Sequence, residues 1–424
     1  MKSKGTLERI LCALLVLFLL AVPMACISGS TETGADDDTL RGAPPNLKVP
    51  VQPASSGVVE IKLTAADGVA GDQFGSSVSV SGDTIVVGAP GKDAHTGAAY
   101  VVSIPSSPSG RLAPWRQDKL SSGSAPNKEI GSSVSVSGNT IVVGTSGSDG
   151  TTWSRAFFFV RSGTTWTLQT GHHDYAPCEG HSVSVSGDTI VVGIPRSNPY
   201  WTSDASVYTR SGTAWTYQGS LYPVDVVTNV DKFGSSVSVS GDTAVVGAYG
   251  SFSGLGAAWV FKRSGTTWTQ QAVLKPTDGR TFNDKFGYSV SVSGDTAVVG
   301  AYGKNRYTGA AYVFKRSGTT WTQQAKLTAS DGYFNDWFGN AVSVSGDTIV
   351  VGSSQRNRAF VYVRSGNAWP MKYCLGPSDG VYDRFAGHID KFGYSVSASA
   401  SGNMVVVGAP HNDSDKGAVY LYRW

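Results

Sequence analysis

Two kinds of side chain in this sequence could do more than pack: carboxylates that recur in pairs, and aromatic rings set among polar loop residues. Asp67 and Asp72, Asp225 and Asp231, Asp278 and Asp284, Asp331 and Asp336, and Asp379 and Asp390 fall at matching places along the chain. Calcium takes roughly six to eight oxygen ligands, so such loops are candidate cation sites. An Asp before Gly equally folds a turn through its own backbone amides. Both readings stay open, with Asp278, Asp284, Asp331 and Asp336 as the candidate metal ligands and no other cofactor indicated. His172-His173-Asp174-Tyr175, beside Cys178 and His181, is the densest polar cluster and could move protons as general acid and base. None of the six His stands in a metal-ligand spacing, and no nucleophile elbow, phosphate loop or dinucleotide fingerprint occurs.

Such groups must be held by a scaffold, and the scaffold is written as a repeat. The segment typified by SVSVSGDTIVVGAP recurs with its first Val at Val78, Val134, Val183, Val237, Val290, Val342 and Val396, in steps of 49 to 56 residues. Within one copy, Ser289–Ser293 alternates strictly and Thr296–Gly300 is a Val-rich run, joined by Gly294-Asp295, a pair suited to a tight hairpin. Ala310–Arg316 and Thr320–Leu327 give a third and fourth strand, the last opening with Trp321. Trp115, Trp166, Trp215, Trp268 and Trp369 recur there in other copies, and are expected to pack in the core.

Seven four-stranded units without a helical period predict an all-β fold, a seven-bladed β-propeller of antiparallel blades. The last copy stops at Trp424 after its third strand, Ala418–Arg423, whereas Val58–Leu63 matches a fourth-strand ending. The N-terminal strand is therefore expected to complete the last blade and close the ring, leaving no unpaired edge at the seam.

Lys2, Lys4 and Arg9 precede an apolar run from Ile10 to Val22, too short to cross a bilayer as a helix and fitted to a signal peptide. Pro23-Met24-Ala25-Cys26 resembles a lipobox in which Cys26 would be acylated, although Pro23 stands where Leu is usual; cleavage after Ala25 fits both lipidation and simple export. The organisation read from this is a signal peptide over 1–25, a polar tether over 26–57 and a propeller over 58–424. A net charge of +3 gives no footprint for nucleic acid, and the expected state is a monomer touching a membrane only through a lipid.

Phe74-Gly75 with Gly88-Ala89-Pro90, and Phe392-Gly393 with Gly408-Ala409-Pro410, carry both halves of a motif. Phe233-Gly234, Phe286-Gly287 and Phe338-Gly339 carry the first half. With these the chain resembles FG-GAP repeat proteins, whose blades also build the integrin α-subunit propeller. Copy two has Ile130-Gly131 and copy three Glu179-Gly180, so these have drifted. The Asp-rich calcium loop of integrin-type copies is absent: a Gly-Asp or Gly-Asn turn fills that space, as in a short-turn bacterial form.

In a propeller, the loops joining strands one to two and three to four share one rim; the other loops share the opposite rim. The first set is nearly uniform. The second varies and holds Pro199-Tyr200-Trp201, Tyr249, Phe252, Tyr302, Arg306, Tyr307, Tyr333, Phe334 and Trp337. Variable aromatic loops on a rigid scaffold are the usual seat of recognition, so this rim is expected to bind an extracellular glycan or protein ligand, in line with adhesion relatives. Two alternatives remain: a polysaccharide lyase built on the His172 cluster, since some propeller lyases use His and Tyr, and an envelope spacer that binds nothing.

Overall fold

The computed structural model describes residues 57–104, 116–120, 128–146, 155–173, 182–195, 203–212, 214–224, 232–279, 281–379 and 389–424. Seven four-stranded antiparallel sheets make seven blades. Blades 1 to 6 each use four consecutive strands, and in blade 5 these are Ser289–Ser293, Thr296–Ala301, Ala310–Ser317 and Thr320–Leu327. Blade 7 takes Ser395–Ala398, Met404–Ala409 and Ala418–Arg423 from the C-terminus and Val59–Leu63 from the N-terminus. The seam pairs Val59 with Arg423 and Leu63 with Val419, antiparallel and without a bulge. The expected closure is what the structure shows.

Each strand's sequence follows from its place in the blade. The second strand lies between two neighbours and beneath both adjoining blades, so runs such as Thr296–Ala301 are buried at every residue and read as continuous apolar stretches. The innermost strand has an open edge whose N–H groups need partners. Its serines supply them: Ser238 Oγ accepts from the Val292 N–H of the next blade at 3.0 Å, and Ser291 Oγ accepts from Val344 at 2.9 Å. The same bond crosses the seam, from the Val80 N–H to Ser397 Oγ at 3.1 Å. The alternation Ser-Val-Ser-Val thus places Val in one inter-blade core and Ser as acceptors for the next blade.

The two halves of the Phe-Gly and Gly-Ala motif meet across each junction. A Cβ on Gly300 of blade 5 would lie 2.1 Å from the carbonyl oxygen of Gly339 in blade 6, and Gly339 itself holds φ +87. Gly408 and Gly75 repeat this contact at the seam. The Phe beside the second glycine is fully buried as a wedge between blades; Phe74 packs with Tyr100 of blade 1 and Leu421 of blade 7. Blade 2 keeps the geometry with Ile130, buried, and Gly131 at φ +90.

On the uniform rim, a turn Asp, an Arg of the third strand and a Trp of the fourth lock together. Arg316 bonds Asp295 and lies 5.6 Å from the Trp321 ring, while its Nη1 reaches Thr243 Oγ1 of blade 4 at 3.1 Å. The expected packing holds in part: Trp166, Trp215, Trp268 and Trp321 are half-buried, one face against the inter-blade core and an Arg over the ring, Trp369 is buried within the core, and Trp115 lies outside the described residues. Trp369 also precedes its strand, Met371–Leu375, because Pro370 has no N–H to pair. A β-bulge in the outer strand sets Gln271 and Gln324 outside the ladder, and they accept the indole N–H of Trp321 and Trp369 from the next blade.

Candidate functional site

The repeat supplies an internal control for the variable rim, because each framework position is seen in several blades. The residue before the Phe-Gly pair or its equivalent is Gln73, Glu129, Lys232, Lys285 or Lys391, but Trp337 in blade 6. All six hold positive φ, between +50 and +58, so the backbone there is set by the fold and only the side chain is free to vary. The residue after the pair is Ser76, Ser132, Ser235 or Asn340, but Tyr288 in blade 5 and Tyr394 in blade 7. After the Gly-Ala half come Pro90, Ser146, Pro195, Ser354 and Pro410, but Tyr249 and Tyr302 in blades 4 and 5.

These exceptions converge. Tyr288 lies 4.5 Å from Tyr302 and 5.4 Å from Tyr249, ring centre to ring centre. Tyr302 lies 5.2 Å from Trp337 and 5.9 Å from Tyr307. The planes meet at 41 to 67°, so the rings tilt against one another instead of covering each other's faces. Tyr288 remains 38% exposed, Tyr249, Tyr302, Tyr307 and Trp337 are half-buried, and the Lys285 ammonium stands 5.4 Å from the Tyr249 ring. Desolvation, then the neighbouring hydroxyls of Tyr394, Tyr302 and Tyr249, pushes the Tyr288 phenol above its ordinary range. Tyr302 is raised likewise, by desolvation and then by Tyr307 and Tyr249. These hydroxyls stay protonated at neutral pH and can both donate and accept.

Four of the rim residues singled out from sequence therefore share one cluster: Tyr249, Tyr302, Tyr307 and Trp337. The other described ones are found in different surroundings. Phe252 stacks on Trp259 at 6.4 Å and 12°, under the Lys275 ammonium. Tyr333 and Phe334 form an exposed pair 4.7 Å apart. Arg306 is exposed on a single left-handed turn, Lys304–Tyr307, in which Asn305, Arg306 and Tyr307 all have positive φ. Tyr200, Trp201 and Cys26 lie outside the described residues, as do Asp174, Tyr175, Cys178 and His181; His172 and His173 end the outer strand of blade 2. Sequence reading missed Tyr288 and Tyr394, which an alignment of the repeats on the position after Phe-Gly exposes.

Three of the carboxylate pairs hold cations that the chain itself provides, and Asp225 and Asp231 lie outside the described residues. The Lys304 ammonium sits 3.0 Å from Asp284 Oδ2, donates to the Gly279 carbonyl at 2.8 Å and approaches Asp278 to 3.8 Å. Lys92 repeats this with Asp72 at 2.9 Å and Asp67, and in blade 6 the Arg356 guanidinium bridges Asp331 and Asp336. The second Asp also caps its loop, accepting the N–H of Val69, Thr281 or Tyr333. The first Asp ties neighbouring blades: Tyr100 donates to Asp67, Tyr312 to Asp278 and Tyr420 to Asp379. Burial pushes the Asp278 carboxyl upward, but the Lys326 hydrogen bond, the charges of Lys304 and Lys326 and the Tyr312 hydroxyl outweigh it and hold it below its ordinary range. Among the described residues no group of three or more His, Cys, Asp or Glu stands together as a metal site.

The fold matches 564 chains of solved structures. One, in the "Crystal Structure of Mitotic Checkpoint Complex", is 10% identical, with a TM-score of 0.52 over 92% of this chain and 99% of that one, a likeness of fold alone. No curated protein sequence matches. The FG-GAP repeat family matches residues 58–102, 215–261, 268–314, 321–369 and 386–422, passing over the drifted second copy and most of the third. With those matches spanning more than half of the chain, and with both halves of the motif meeting at the blade junctions, this protein belongs to the FG-GAP repeat family.

Proposed function

We propose that this is an exported, lipid-anchored cell-surface protein that binds an extracellular glycan or protein ligand through the variable rim of blades 4 to 6. One observation carries the reading: aromatic residues replace Ser, Pro and Lys at three framework positions, and five of the replaced or adjoining side chains meet in one cluster. Packing of the ring does not require them, since sibling blades close the same junctions without them. Aromatic side chains concentrated on a rigid surface are the usual anchors of recognition.

The path of the chain supports the anchored arrangement. Val59 pairs with Arg423 at the end of the third strand, so the chain enters the ring on the uniform rim. A tether from Cys26 would therefore join the ring on the rim opposite the aromatic one. Mass spectrometry of the mature N-terminus tests the anchor, through the mass that diacylation would add at Cys26. Screening the mature protein against glycan arrays and envelope extracts tests the binding. Saturable binding without turnover supports a receptor, product release points to the lyase, and neither points to a spacer.

A further inference from the structure

We propose that the aromatic sector of blades 4 to 6 accepts a neutral saccharide, stacked against the rings of Tyr302 and Trp337 and hydrogen-bonded by the hydroxyls of Tyr288 and Tyr302. The proposal rests on the reading of this rim as a recognition surface and names the ligand class of that surface. Three features select the class. First, the cluster is built from Tyr and Trp, amphipathic rings whose faces suit the C–H face of a pyranose and whose polar tips suit its hydroxyls. Second, the rings tilt at 41 to 67°, leaving a faceted surface in place of a self-stacked plug.

Third, the carboxylates around the sector are already matched within the protein. Asp284 is held by Lys304, Asp336 by Arg356 and Asp278 by Lys326, and the Lys285 ammonium stands over the Tyr249 ring. A basic peptide would find its carboxylate partners engaged, and of the two cations beside the rings Lys285 already lies over Tyr249 while Arg306 is exposed on the turn that ends in Tyr307. An uncharged polyol with an apolar face needs neither. Chains linked through equatorial bonds present that face repeatedly, which makes cellohexaose and chitohexaose the natural probes.

The repeat provides variants that remove the rings with residues the same backbone already carries. Tyr288→Ser copies blades 1, 2 and 4, and Trp337→Lys copies blades 4, 5 and 7 at a position where every blade compared holds positive φ. Isothermal titration of the full mature chain with each hexasaccharide is expected to give saturable binding of at least one. Tyr288→Ser and Trp337→Lys should each weaken it by about tenfold or more, with unchanged melting temperature. Asp295→Asn, on the opposite rim, should bind like wild type. Wild-type affinity in both aromatic variants would place any sugar elsewhere and overturn the proposal. Saturable binding of an envelope protein without binding of either saccharide would overturn it while leaving the receptor reading intact; no saturable binding of any kind would remove both.

Discussion

Replacing Lys304 by Met keeps the aliphatic stem and deletes the charge. Lys304 and Asp284 have side chains only 6% and 2% exposed, with 3.0 Å between ammonium and carboxylate. Removing one partner of such a pair leaves a buried charge without its counter-ion, typically at about 3 to 5 kcal/mol. Asp284 keeps the Thr281 N–H at 2.8 Å and the Thr281 hydroxyl at 2.5 Å, which places the cost near the lower bound, about 3 kcal/mol. For a domain of this size that corresponds to a fall in melting temperature of roughly 6 °C, taking about 2 °C per kcal/mol. Scanning calorimetry at neutral pH, with and without millimolar calcium, is the assay. K304M should melt lower, and adding Asp284→Asn should restore part of the loss. Calcium should leave wild type unchanged, because the Lys304 ammonium already stands between Asp278 and Asp284. A variant melting with wild type would show that water already screens Asp284, and a calcium-dependent shift in wild type would show that Lys304 does not fill the cation's place.

Deleting residues 58 to 63 should open the ring, since Leu63 is fully buried and the strand covers the edge of Ala418–Arg423; a deletion protein with wild-type melting and monomeric elution would contradict the closure. Gly300→Ala should cost about 3 kcal/mol or more, because its Cβ would meet the Gly339 oxygen at 2.1 Å and Ser289 Oγ at 2.2 Å; a cost below 1 kcal/mol in urea unfolding would show that the junction yields. The carboxyls of Asp67, Asp278 and Asp379 are held below their ordinary 3.8, so the stability they add is present above that pH and is lost as pH falls through the depressed values. The phenols of Tyr100, Tyr312 and Tyr420 are raised, chiefly by burial and by the Asp each bonds, so their share is present below pH 10 and is lost as pH rises above it. Melting temperature should therefore decline below about pH 4 and above about pH 10, and a rise on acidification from pH 5 to 3 would contradict the sign.

Much of the ring was legible because each blade repeats the same local physics. Gly294-Asp295 announced a hairpin, Ser289–Ser293 an alternating strand, and the mismatch between Trp424 and Val58–Leu63 announced the seam. What could not be read was anything requiring two blades at once. The alternation of Ser289–Ser293 carries no sign that serines of the inner strand accept N–H bonds from the next blade. Asp278 and Asp284 looked like a ligand pair because their cation, Lys304, lies some 20 residues on in sequence, in a turn of the next blade. Tyr249, Tyr302, Tyr307 and Trp337 were visible as rim aromatics, yet their meeting with Tyr288 depends on how blades 4, 5 and 6 stand side by side. Phe252 and Trp259, equally aromatic, pair within blade 4 for the same reason: the fold decides which rings face one another.

The measurement that bears most directly on the central claim is hydrogen exchange of the mature protein, free and saturated with whichever ligand the screens return. Protection is expected in peptides spanning residues 249–254, 284–289, 302–309 and 333–340, with none in the Gly-Asp turns of the opposite rim. Protection centred on those turns, or on blades 1 to 3, would contradict an aromatic recognition sector on blades 4 to 6.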